Sequence, residues 1–383
     1  MTADTTVPGR RYRVGVDFHV WDGIFQGSRS HLLGLYRCAV RQAPDINFVF
    51  FLAGVDALRL SYPEFSLPNV TLVRMRHRPG IVRLGFQLPW LQWRHGIDLM
   101  HLQYRLPPIT PGPCACTIHD VLFETHPQFF EPRFVWQSRL TSRAAVRRAA
   151  VLLTVSQFSR AEIGRIYGID AQRIGVTFNA VDSARFHPGG AGADAVQALG
   201  LEPGAYVLTV GRLEPRKNHL TLLEAYAELG PDMPPLVVVG QRDFGFAPLF
   251  AAIQRHGLEH RVKLIEDVSD ADLPAVMRHA QVFVYPAFAE GFGMPVLEAM
   301  ASGVPVITSN TTSLPEVAGG AAILVDPHSV AALQTAMRSV LGDAQMRESM
   351  AVAGLKAAAR FDWSVSAAAL ISVLRRYFSG APA

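Results

Sequence analysis

The sequence predicts an α/β protein made of two open domains, each with a mostly parallel sheet covered by helices. Across residues 13–186, short apolar segments alternate with stretches of helical periodicity, and residues 205–361 repeat this alternation. Strands that alternate with helices indicate a parallel sheet, because each crossover helix returns the chain to the same edge. Residues 187–204 interrupt the alternation with five glycines and two prolines, which predicts a linker.

Apolar segments rich in valine and isoleucine predict the strands, and such runs suit sheets that helices cover on both faces. In the first domain, residues 1–186, strands are expected near 14–16, 47–53, 70–75, 99–102, 114–118, 151–155 and 174–176, with helices beginning near 28, 81, 131 and 159. In the second domain, residues 205–361, strands are expected near 206–210, 236–239, 262–265, 282–285, 304–308 and 322–325. A final helix near 362–380 is expected to pack back on the first domain. Ligands are expected in a cleft between the carboxyl ends of the two sheets.

Composition limits the class of protein. With 49% hydrophobic and 18% charged residues, the chain is expected to be globular. No apolar run reaches the roughly 18 residues of a membrane-spanning helix, so none is predicted. Residues 1–13 carry three arginines but no apolar core of a secretory signal, and the expected location is therefore the cytoplasm.

Cysteines and acidic pairs give no strong metal signal. Cys114 and Cys116 alternate in an apolar segment near His119, and they are expected to be buried strand residues rather than half of a metal site. Asp270 and Asp272 resemble a metal-binding Asp-x-Asp, but they open a predicted helix, where a capping role is favoured.

Charge is distributed unevenly along the chain. Residues 1–190 contain 22 arginines, no lysine and 13 acidic residues, whereas the remainder is net acidic. One interpretation of the basic half is attraction to a phosphate-rich partner, such as anionic lipid or a diphosphate-bearing acceptor. The other is a face of solvated arginines. Residues 75–93 interleave arginines with aromatic residues, and they predict either an element that docks on a bilayer or an amphipathic helix packed on the first domain. A nucleic-acid partner is not expected, because no recognisable module is present and the acidic half would repel the backbone.

A first motif follows the opening strand of the second domain. Gly211 permits a turn, and Arg212 and Lys217 place two cations at the carboxyl end of that strand. Arginine forms bidentate contacts with phosphate and lysine supplies a compact charge, so together they could clamp a diphosphate. A solvated loop with helix-capping residues is the alternative interpretation.

A second motif, residues 285–309, contains a strand end, a glycine-rich loop, a helix and another strand. Glu290 precedes Gly291 and Gly293, and Glu298 lies on the helix that begins near Met294. A loop that opens a helix in this way turns amide N–H groups toward an anion. The two carboxylates therefore bracket a predicted anion site.

These motifs resemble those of the family 4 glycosyltransferases, which have the GT-B fold of two Rossmann-like domains with parallel sheets facing an inter-domain cleft. The resemblance rests on VGRLEPRKN, on AEGFGMPVLEAMASGVPVITSN with its Glu-x7-Glu pair, and on SLPEVAGGAA. Shorter segments around His119, Thr154 and Asn179 support it. Within the family, the pattern is most similar to mannosyl- and rhamnosyltransferases of bacterial surface polysaccharide synthesis.

The resemblance implies a nucleotide diphosphate sugar bound mainly by the second domain. Arg212 and Lys217 would neutralise the diphosphate, Glu298 would bind the ribose hydroxyls, and Glu290 would hold hydroxyls of the transferred sugar. His119 would approach that sugar from the first domain. The donor-binding residues so implied are Gly211, Arg212, Lys217, Gly291, Phe292, Gly293, Met294 and Glu298, and the implied catalytic residues are His119, Glu290, Arg212 and Lys217.

The acceptor side departs from the family. Where many relatives carry a glycine-rich loop after the first strand, this sequence keeps only Gly27 before Ser28 and Arg29. These three residues either contact an acceptor or simply cap a helix, and Asp120 either orients His119 or caps the next segment.

The expected activity is transfer of a hexose, with mannose from GDP-mannose as the first choice, to a saccharide or polyprenyl-diphosphate-linked saccharide with retention of anomeric configuration. No cofactor or metal ion is required, because arginine and lysine can replace the cation. Same-face substitution is favoured, since no motif supplies a nucleophile of the kind used by retaining hydrolases. The alternatives are a GT-B epimerase or phosphorylase and a non-catalytic nucleotide-sugar sensor. The expected location is cytoplasmic, with peripheral contact at the inner face of the plasma membrane as a further option.

Overall fold

The structure is a computed structural model that describes residues 11–23 and 27–380. The strands are β1 Arg13–Asp17, β2 Asn47–Leu52, β3 Val70–Arg74, β4 Leu99–Gln103, β5 Cys114–Thr117, β6 Val151–Thr154, β7 Ile174–Val176, β8 Val207–Val210, β9 Leu236–Val239, β10 Val262–Ile265, β11 Val282–Tyr285, β12 Val306–Ser309 and β13 Ile323–Val325. The predicted lack of a leader falls largely on residues 1–10, which lie outside the described residues.

Helices connect most of the strands, and three consecutive helices follow the last strand. They are α1 Gly27–Gln42, α2 Val55–Ser61, α3 Gly80–Val82, α4 Leu88–Arg94, α5 Leu122–Thr125, α6 Pro132–Arg148, α7 Gln157–Tyr167, α8 Ala193–Ala198, α9 His219–Ala227, α10 Ala247–Arg255, α11 Leu273–Arg278, α12 Met294–Ala301, α13 Leu314–Ala318, α14 Val330–Gly342, α15 Ala344–Ala358 and α16 Trp363–Phe378. A π-helical turn, Arg83–Gln87, joins α3 to α4, and 3₁₀ turns occur at His19–Trp21, Pro63–Ser66, Pro127–Phe129, Ala171–Arg173 and Pro215–Lys217.

Two parallel sheets organise the described chain. The first has seven strands in the order β3-β2-β1-β4-β5-β6-β7, and the second has six in the order β10-β9-β8-β11-β12-β13. Each sheet begins at an inner strand, and the strand order reverses beside it, between β1 and β4 and between β8 and β11. Ligands in open α/β sheets bind at such a reversal, at the carboxyl ends of the strands. The predicted α/β class with two parallel sheets is confirmed.

Contacts divide the chain into two compact units. Unit 1 consists of Met1–Val121, Arg133–Ala180 and Asp362–Ala383, and unit 2 consists of Leu122–Pro132 and Val181–Phe361. The boundary at residues 180–181 precedes the one expected at 186, because Arg278 of unit 2 donates a hydrogen bond to the Arg185 carbonyl at 2.9 Å. Residues 122–132 group with unit 2, where Phe129 stacks on Phe288 with ring centroids 5.3 Å apart. The expected linker contains α8.

Each unit has its own apolar core between its sheet and its helices. In unit 1, Tyr36 of α1 packs edge-on against Phe48 and Phe50 of β2, and all three are fully buried. In unit 2, Leu222 and Leu223 of α9 are buried against the valines of β8 and β9. Complete burial of one such side chain contributes about 1.5–3 kcal/mol, so the many valines and phenylalanines of the strands stabilise both sheets.

The final helix, α16, packs in unit 1. Its N-cap Asp362 accepts a hydrogen bond from the Ser364 amide at 2.6 Å, and Ser366 donates to the Phe178 carbonyl at 2.7 Å. The indole of Trp363 lies over Gly34 of α1, where a Cβ atom would approach it to 2.2 Å. Glycine at position 34 is therefore required for α1 and α16 to pack this closely.

One described stretch, Ala344–Phe378, is long and apolar enough to pass a length-and-composition test for a membrane span, contrary to the expectation from sequence. The structure breaks this stretch at residues 359–362 into α15 and α16. Leu370, Ile371 and Leu374 of α16 belong to the core of unit 1, and α15 belongs to unit 2. Core helices of this kind satisfy the same test without entering a bilayer.

The structure also shows the surroundings of the cysteines of β5 and of the aspartates that precede α11. Cys114 and Cys116 are buried free thiols of β5, as predicted. Asp272 occupies the N-cap position of α11 but makes no capping hydrogen bond with its side chain, because its carboxylate accepts from the Ser269 hydroxyl at 2.6 Å. Among the residues that the structure describes, no group of three or more His, Cys, Asp or Glu side chains is arranged to hold a metal ion.

Candidate functional site

Two loops meet at the carboxyl edge of the second sheet and form a candidate site in unit 2. β8 and β11 are hydrogen-bonded neighbours, so the loops that follow them leave the sheet side by side. The loop after β8 carries Lys217, and the loop after β11 carries Glu290. The strand order thus brings together residues that are far apart in the sequence.

Lys217 and Glu290 form a buried ion pair in this site. The Lys217 ammonium donates hydrogen bonds to Oε1 of Glu290 and to the hydroxyl of Tyr285, the latter over 2.8 Å. The Tyr285 hydroxyl in turn donates to Oε1 of Glu290 at 2.8 Å. Burial lowers the pKa of Lys217, and the carboxylate charge of Glu290 opposes that shift. Two of the predicted catalytic residues are therefore in direct contact.

The carboxylate of Glu290 is held through one oxygen only. Burial alone would raise its pKa, but the charges of Arg216 and Lys217 and hydrogen bonds from Lys217 and Tyr285 lower that pKa to about 2. Each of these three side chains contacts Oε1. Among the described residues, none donates a hydrogen bond to Oε2. Because each carboxylate oxygen can accept hydrogen bonds, Oε2 can accept one from a ligand hydroxyl.

Arg216 is a site residue that the sequence interpretation missed. Its guanidinium lies 2.6 Å from Oε1 of Glu214 and 3.0 Å from Oε1 of Glu290, and it donates to the Ala289 carbonyl at 2.8 Å. Only 14% of its side chain is exposed, so it is held between the two loops. Its position beside Lys217 in the motif was the available signal.

Arg212, predicted to clamp a diphosphate, is paired with a different residue. Its guanidinium donates to Oδ2 of Asp243 at 2.6 Å, and nearly half of its side chain, 46%, is exposed. Burial alone would raise the pKa of Asp243, but the hydrogen bond from Arg212 and the nearby positive charge lower it overall. None of the described contacts joins Arg212 to Lys217 or Glu290.

The steric requirement for glycine in this region falls on Gly240 rather than on Gly211. A Cβ atom at Gly211 would make ordinary contacts of 3.6 Å, and Gly211 has no positive φ angle. A Cβ atom at Gly240, after β9, would lie 1.8 Å from the Gly211 carbonyl oxygen. The loop after β8 therefore depends on a glycine in the neighbouring loop, which corrects the role expected for Gly211.

Residues 291–294 join Glu290 to α12. Gly293 has a φ angle of 104°, and a Cβ atom there would lie 2.7 Å from the Leu314 side chain. The carbonyls of Glu290 and Phe292 both accept from the Ser313 hydroxyl, at 2.8 and 2.9 Å. The Phe292 ring is buried edge-on against Phe361.

The amides at the start of α12 have no acceptor among the described residues. In the described structure, no hydrogen bond from the N–H groups of Phe292, Gly293 or Met294 is found, whereas the Glu290 amide donates to the Thr312 hydroxyl at 3.0 Å. The first N–H groups of a helix have no intrahelical acceptor. These three amides can therefore bind the oxygens of an anion, as the sequence predicts.

Glu298 lies on α12 and is half-buried. Burial raises its pKa to about 8, with Asp270 reinforcing the shift and Arg185 opposing it. No side chain among the described residues hydrogen-bonds to its carboxyl group. A half-buried acidic group with a raised pKa and no side-chain hydrogen-bond donor among the described residues is typical of a position that receives a ligand.

In unit 1, His119 follows β5 and is almost fully buried. Its Nε2 lies 2.8 Å from Oε1 of Gln103, and its ring stacks on Tyr104 with centroids 5.2 Å apart. Because the Gln103 oxygen is an acceptor, Nε2 carries the hydrogen and Nδ1 keeps its lone pair. Burial holds the pKa of His119 well below its usual range, with His31 and His101 adding to that effect.

Two further buried histidines, His31 and His101, lie in the same part of unit 1 as His119, and the sequence motifs did not indicate either of them. His31 contacts the His119 ring edge-on, with centroids 5.0 Å apart, and its Nδ1 lies 2.8 Å from the Asn179 side-chain oxygen. His101 bridges Tyr36 and Thr117 at 2.6 and 2.8 Å. Burial lowers the pKa of His31 to about 4, so the ring is neutral at physiological pH.

The predicted acceptor residues lie near the start of α1, but residues 24–26 of that loop are outside the described residues. Gly27 begins the helix, and the Ser28 carbonyl accepts from Gln103 at 3.3 Å, which connects this end of α1 to the partner of His119. The Arg29 guanidinium lies over the Trp21 ring at 4.5 Å. Asp120 is half-buried beside His119, whose Nε2 is oriented by Gln103.

Family models match both parts of the chain. Residues 25–185 match the family described as Glycosyltransferase Family 4, and residues 195–357 match Glycosyl transferases group 1. The D-inositol 3-phosphate glycosyltransferase 2 of Catenulispora acidiphila is 32% identical over 322 residues, covering 78% of this chain and 72% of that protein. The chain therefore belongs to the family 4 glycosyltransferases.

A second relative is more similar over a shorter stretch. The O-antigen chain mannosyltransferase B of Escherichia coli is 37% identical over 252 residues, which cover 64% of this chain and 66% of that protein. The matches span only 32% to 60% of the length of four further relatives. Among solved structures, Anabaena HepE in complex with UDP and glucose superimposes with a TM-score of 0.74 at 21% identity, covering 96% of this chain and 100% of that chain. That likeness confirms the GT-B fold.

Proposed function

We propose that this protein transfers a hexose from a nucleoside diphosphate sugar to a saccharide or polyprenyl-diphosphate-linked saccharide. The observation that carries the proposal is the grouping in unit 2 of a buried lysine, three unused amides and two carboxyl groups with acceptor oxygens to spare. Lys217 and the amides suit a departing diphosphate, because preorganised positive charge stabilises the negative charge that develops there. Glu290 is suited to bind hydroxyls of the transferred sugar, and Glu298 is suited to bind the ribose hydroxyls at the other end of the donor.

The donor proposed is GDP-mannose, and the product belongs to surface polysaccharide assembly. The support is the relative of Escherichia coli, whose name describes an O-antigen chain mannosyltransferase. His119 is proposed to contact the transferred sugar through Nδ1, whose lone pair is set by the hydrogen bond from Nε2 to Gln103. Arg212 is proposed to add charge near the diphosphate after leaving Asp243.

The proposed reaction retains the anomeric configuration by substitution on one face of the sugar. The bond between the anomeric carbon and the diphosphate oxygen breaks, the acceptor hydroxyl oxygen bonds to that carbon, and the hydroxyl proton passes to the departing diphosphate. Glu290 is a poor nucleophile for the alternative route, because three donors occupy Oε1 and a pKa of about 2 marks a weak base. A sugar trapped covalently on Glu290 would contradict this route.

No metal ion is included in the proposal, since Lys217 and neighbouring arginines can supply the positive charge that a cation would give. This part is tested by dialysis against a chelator followed by readdition of Mg²⁺ or Mn²⁺. The expected result is unchanged transfer. Loss of transfer that Mg²⁺ or Mn²⁺ restores would show that an ion is needed.

The assignment is tested with purified protein, a panel of GDP-, UDP- and dTDP-sugars, and a polyprenyl-diphosphate-linked saccharide. Transfer of mannose from GDP-mannose, with an anomer matching the donor by NMR, is the expected result. Release of an epimerised nucleotide sugar would favour an epimerase, and phosphate-dependent cleavage of a saccharide would favour a phosphorylase. Tight binding of a nucleotide sugar without any turnover would favour a sensor.

We further propose that unit 1 binds the inner face of the plasma membrane from the cytoplasm through residues 75–94. Ile81, Phe86, Trp90 and Trp93 have exposed fractions of 85%, 74%, 55% and 69%. No acidic residue occurs between 75 and 97, and Arg76, Arg78 and Arg94 lie in the same segment. Exposed aromatic side chains beside cations suit an anionic bilayer surface, where the rings enter the interface and the arginines meet lipid phosphates.

Sedimentation with vesicles tests this surface. The protein is expected to bind vesicles that contain phosphatidylglycerol more tightly than vesicles of phosphatidylcholine alone, with binding weakened by salt. The double variant Trp90→Ala/Trp93→Ala should lose most of this binding, whereas Leu60→Ala, at another exposed apolar position, should keep it. Equal binding by both variants and by both vesicle types would exclude this surface.

A further inference from the structure

Four charged side chains of the proposed donor site form a cluster, which we call the ion cluster: Glu214, Arg216, Lys217 and Glu290. Between 11% and 14% of each side chain is exposed. Two carboxylates and two cations balance each other, so the cluster is neutral as it stands. If Lys217 turns to a diphosphate, the balance inside the cluster changes.

Arg216 and Lys217 are held in different ways. Arg216 bridges Glu214 and Glu290 and also donates to the Ala289 carbonyl at 2.8 Å, while its own carbonyl accepts from the Phe288 amide at 2.9 Å. It is therefore tied to the loop after β11 by both backbone and side chain. Among the residues that the structure describes, the Lys217 ammonium, at the end of a flexible side chain, donates hydrogen bonds only to Tyr285 and Glu290 and lies 3.8 Å from Oε1 of Glu214.

A buried carboxylate that loses its sole cation is strongly destabilised. If Lys217 were the only cation beside Glu290, Glu290 would be destabilised in this way whenever Lys217 moved to a diphosphate oxygen. Arg216, already 3.0 Å from the same oxygen, supplies a second positive charge that does not depend on Lys217. The Tyr285 hydroxyl adds a hydrogen bond to that oxygen at 2.8 Å.

We propose that Arg216 is a positioning residue that keeps Glu290 charged and in place, and so releases Lys217 to bind the diphosphate of the donor. Arg216 acts through Glu290 and does not itself bind the nucleotide. Tyr285 supports the same oxygen of Glu290. This inference rests on the proposed function, because it assigns a role within the same nucleotide site.

The test is a mutant cycle on nucleotide affinity, measured by calorimetry with GDP and with UDP, using whichever binds more tightly. Arg216→Gln is expected to weaken binding about tenfold in the otherwise native chain, because Lys217 stays with Glu290. In a Glu290→Gln background, where the carboxylate that accepts from Lys217 is absent, the same substitution should weaken binding less than about twofold. A direct contact from Arg216 to the nucleotide, or a purely structural role, would give the same loss in both backgrounds and overturn the proposal.

Conservative variants sharpen the result. Arg216→Lys retains the charge and should keep affinity within about threefold of the native value. Tyr285→Phe should lower affinity less than Arg216→Gln, because it removes a hydrogen bond but no charge. Arg242→Gln is the matched control, since Arg242 forms a more exposed pair with Glu266 at 2.8 Å in the same unit. Its affinity should be unchanged, and thermal unfolding of all variants shows whether they are folded.

A second readout is the acidic limb of the pH profile of kcat. Removing the charge of Arg216 leaves Glu290 easier to protonate, so the acidic limb of Arg216→Gln should move to higher pH, and Arg216→Lys should restore it. An unmoved limb would contradict the proposal. A native chain that shows the expected cycle with GDP but transfers no sugar would refute the proposed transfer alone. If the native chain transfers sugar but Arg216→Gln weakens nucleotide binding equally in both backgrounds, only the role of Arg216 is refuted.

Discussion

The raised pKa of Glu298 gives a sharp prediction for the pH dependence of donor binding. Burial raises this pKa to about 8, so the carboxyl group is mostly protonated at neutral pH and ionised above pH 8. The ionised form accepts hydrogen bonds from ribose hydroxyls more strongly than the neutral form. Donor affinity should therefore rise as the pH increases through 8 and then level off.

The magnitude follows from the fraction of ionised carboxyl group. With a pKa of about 8, that fraction falls about tenfold between pH 9 and pH 7, and the donor KM should rise about tenfold over the same interval. Glu298→Gln has the same shape but cannot ionise, so its KM should be flat between pH 6 and 9. At pH 9 its KM should exceed that of the native chain by about 10- to 100-fold, because a hydrogen bond to a charged group is lost.

The assay is the initial rate of sugar transfer as a function of donor concentration at each pH. Glu259→Gln is a matched control, because Glu259 is an exposed carboxylate of the same unit, and its profile should follow the native one. A native KM that stays constant from pH 6 to 9, or a Glu298→Gln profile that still titrates near pH 8, would refute the role given to Glu298.

Three further predictions concern the site and its scaffold. Lys217→Ala should lower kcat about 100-fold in steady-state assays, because the departing diphosphate loses a preorganised cation. Gly293→Ala should lower the free energy of unfolding by about 2 kcal/mol in urea denaturation, since the position requires a positive φ angle and a Cβ atom would meet a neighbour at 2.7 Å. Gly34→Ala should destabilise by about 1–3 kcal/mol in the same experiment, because the methyl group would displace Trp363.

The controls use positions with open space. Gly342→Ala, at the end of α14, adds a Cβ atom with nothing within 4 Å, and it should not destabilise the protein. If Gly293→Ala or Gly34→Ala unfolds at the same urea concentration as Gly342→Ala, the packing argument is wrong. Full kcat in Lys217→Ala would remove that residue from the catalytic group.

Most of the architecture could be predicted from the sequence, because local apolar runs indicate where the strands lie. Valine-rich runs such as Leu236–Val239 and Val282–Tyr285 are buried on both faces and lie where the apolar pattern placed them. The sequence order predicts that residues 122–132 belong to the first domain, because they follow its strands in the chain. Their place in unit 2 depends on the stacking of Phe129 on Phe288, a contact between distant segments that no local pattern reveals.

The site was predicted in part for the same reason. Lys217, Glu290 and Glu298 stand in motifs, and the amides of residues 292–294 follow from a glycine before a helix. The role of Arg216 cannot be predicted from the sequence, because only the folded loops show its contacts with Glu214 and Glu290. The pairing of Arg212 with Asp243, which is contributed by the loop after β9, likewise depends on the strand order.

The most direct test of this account is a crystal structure of the protein with GDP bound. Diphosphate oxygens should lie within hydrogen-bond distance of the Phe292, Gly293 and Met294 amides, and the Lys217 ammonium should have moved from Glu290 to the diphosphate. Arg216 should remain in contact with Glu290. A nucleotide bound away from residues 291–294, or a Lys217 that stays paired with Glu290 while the diphosphate is in place, would contradict it.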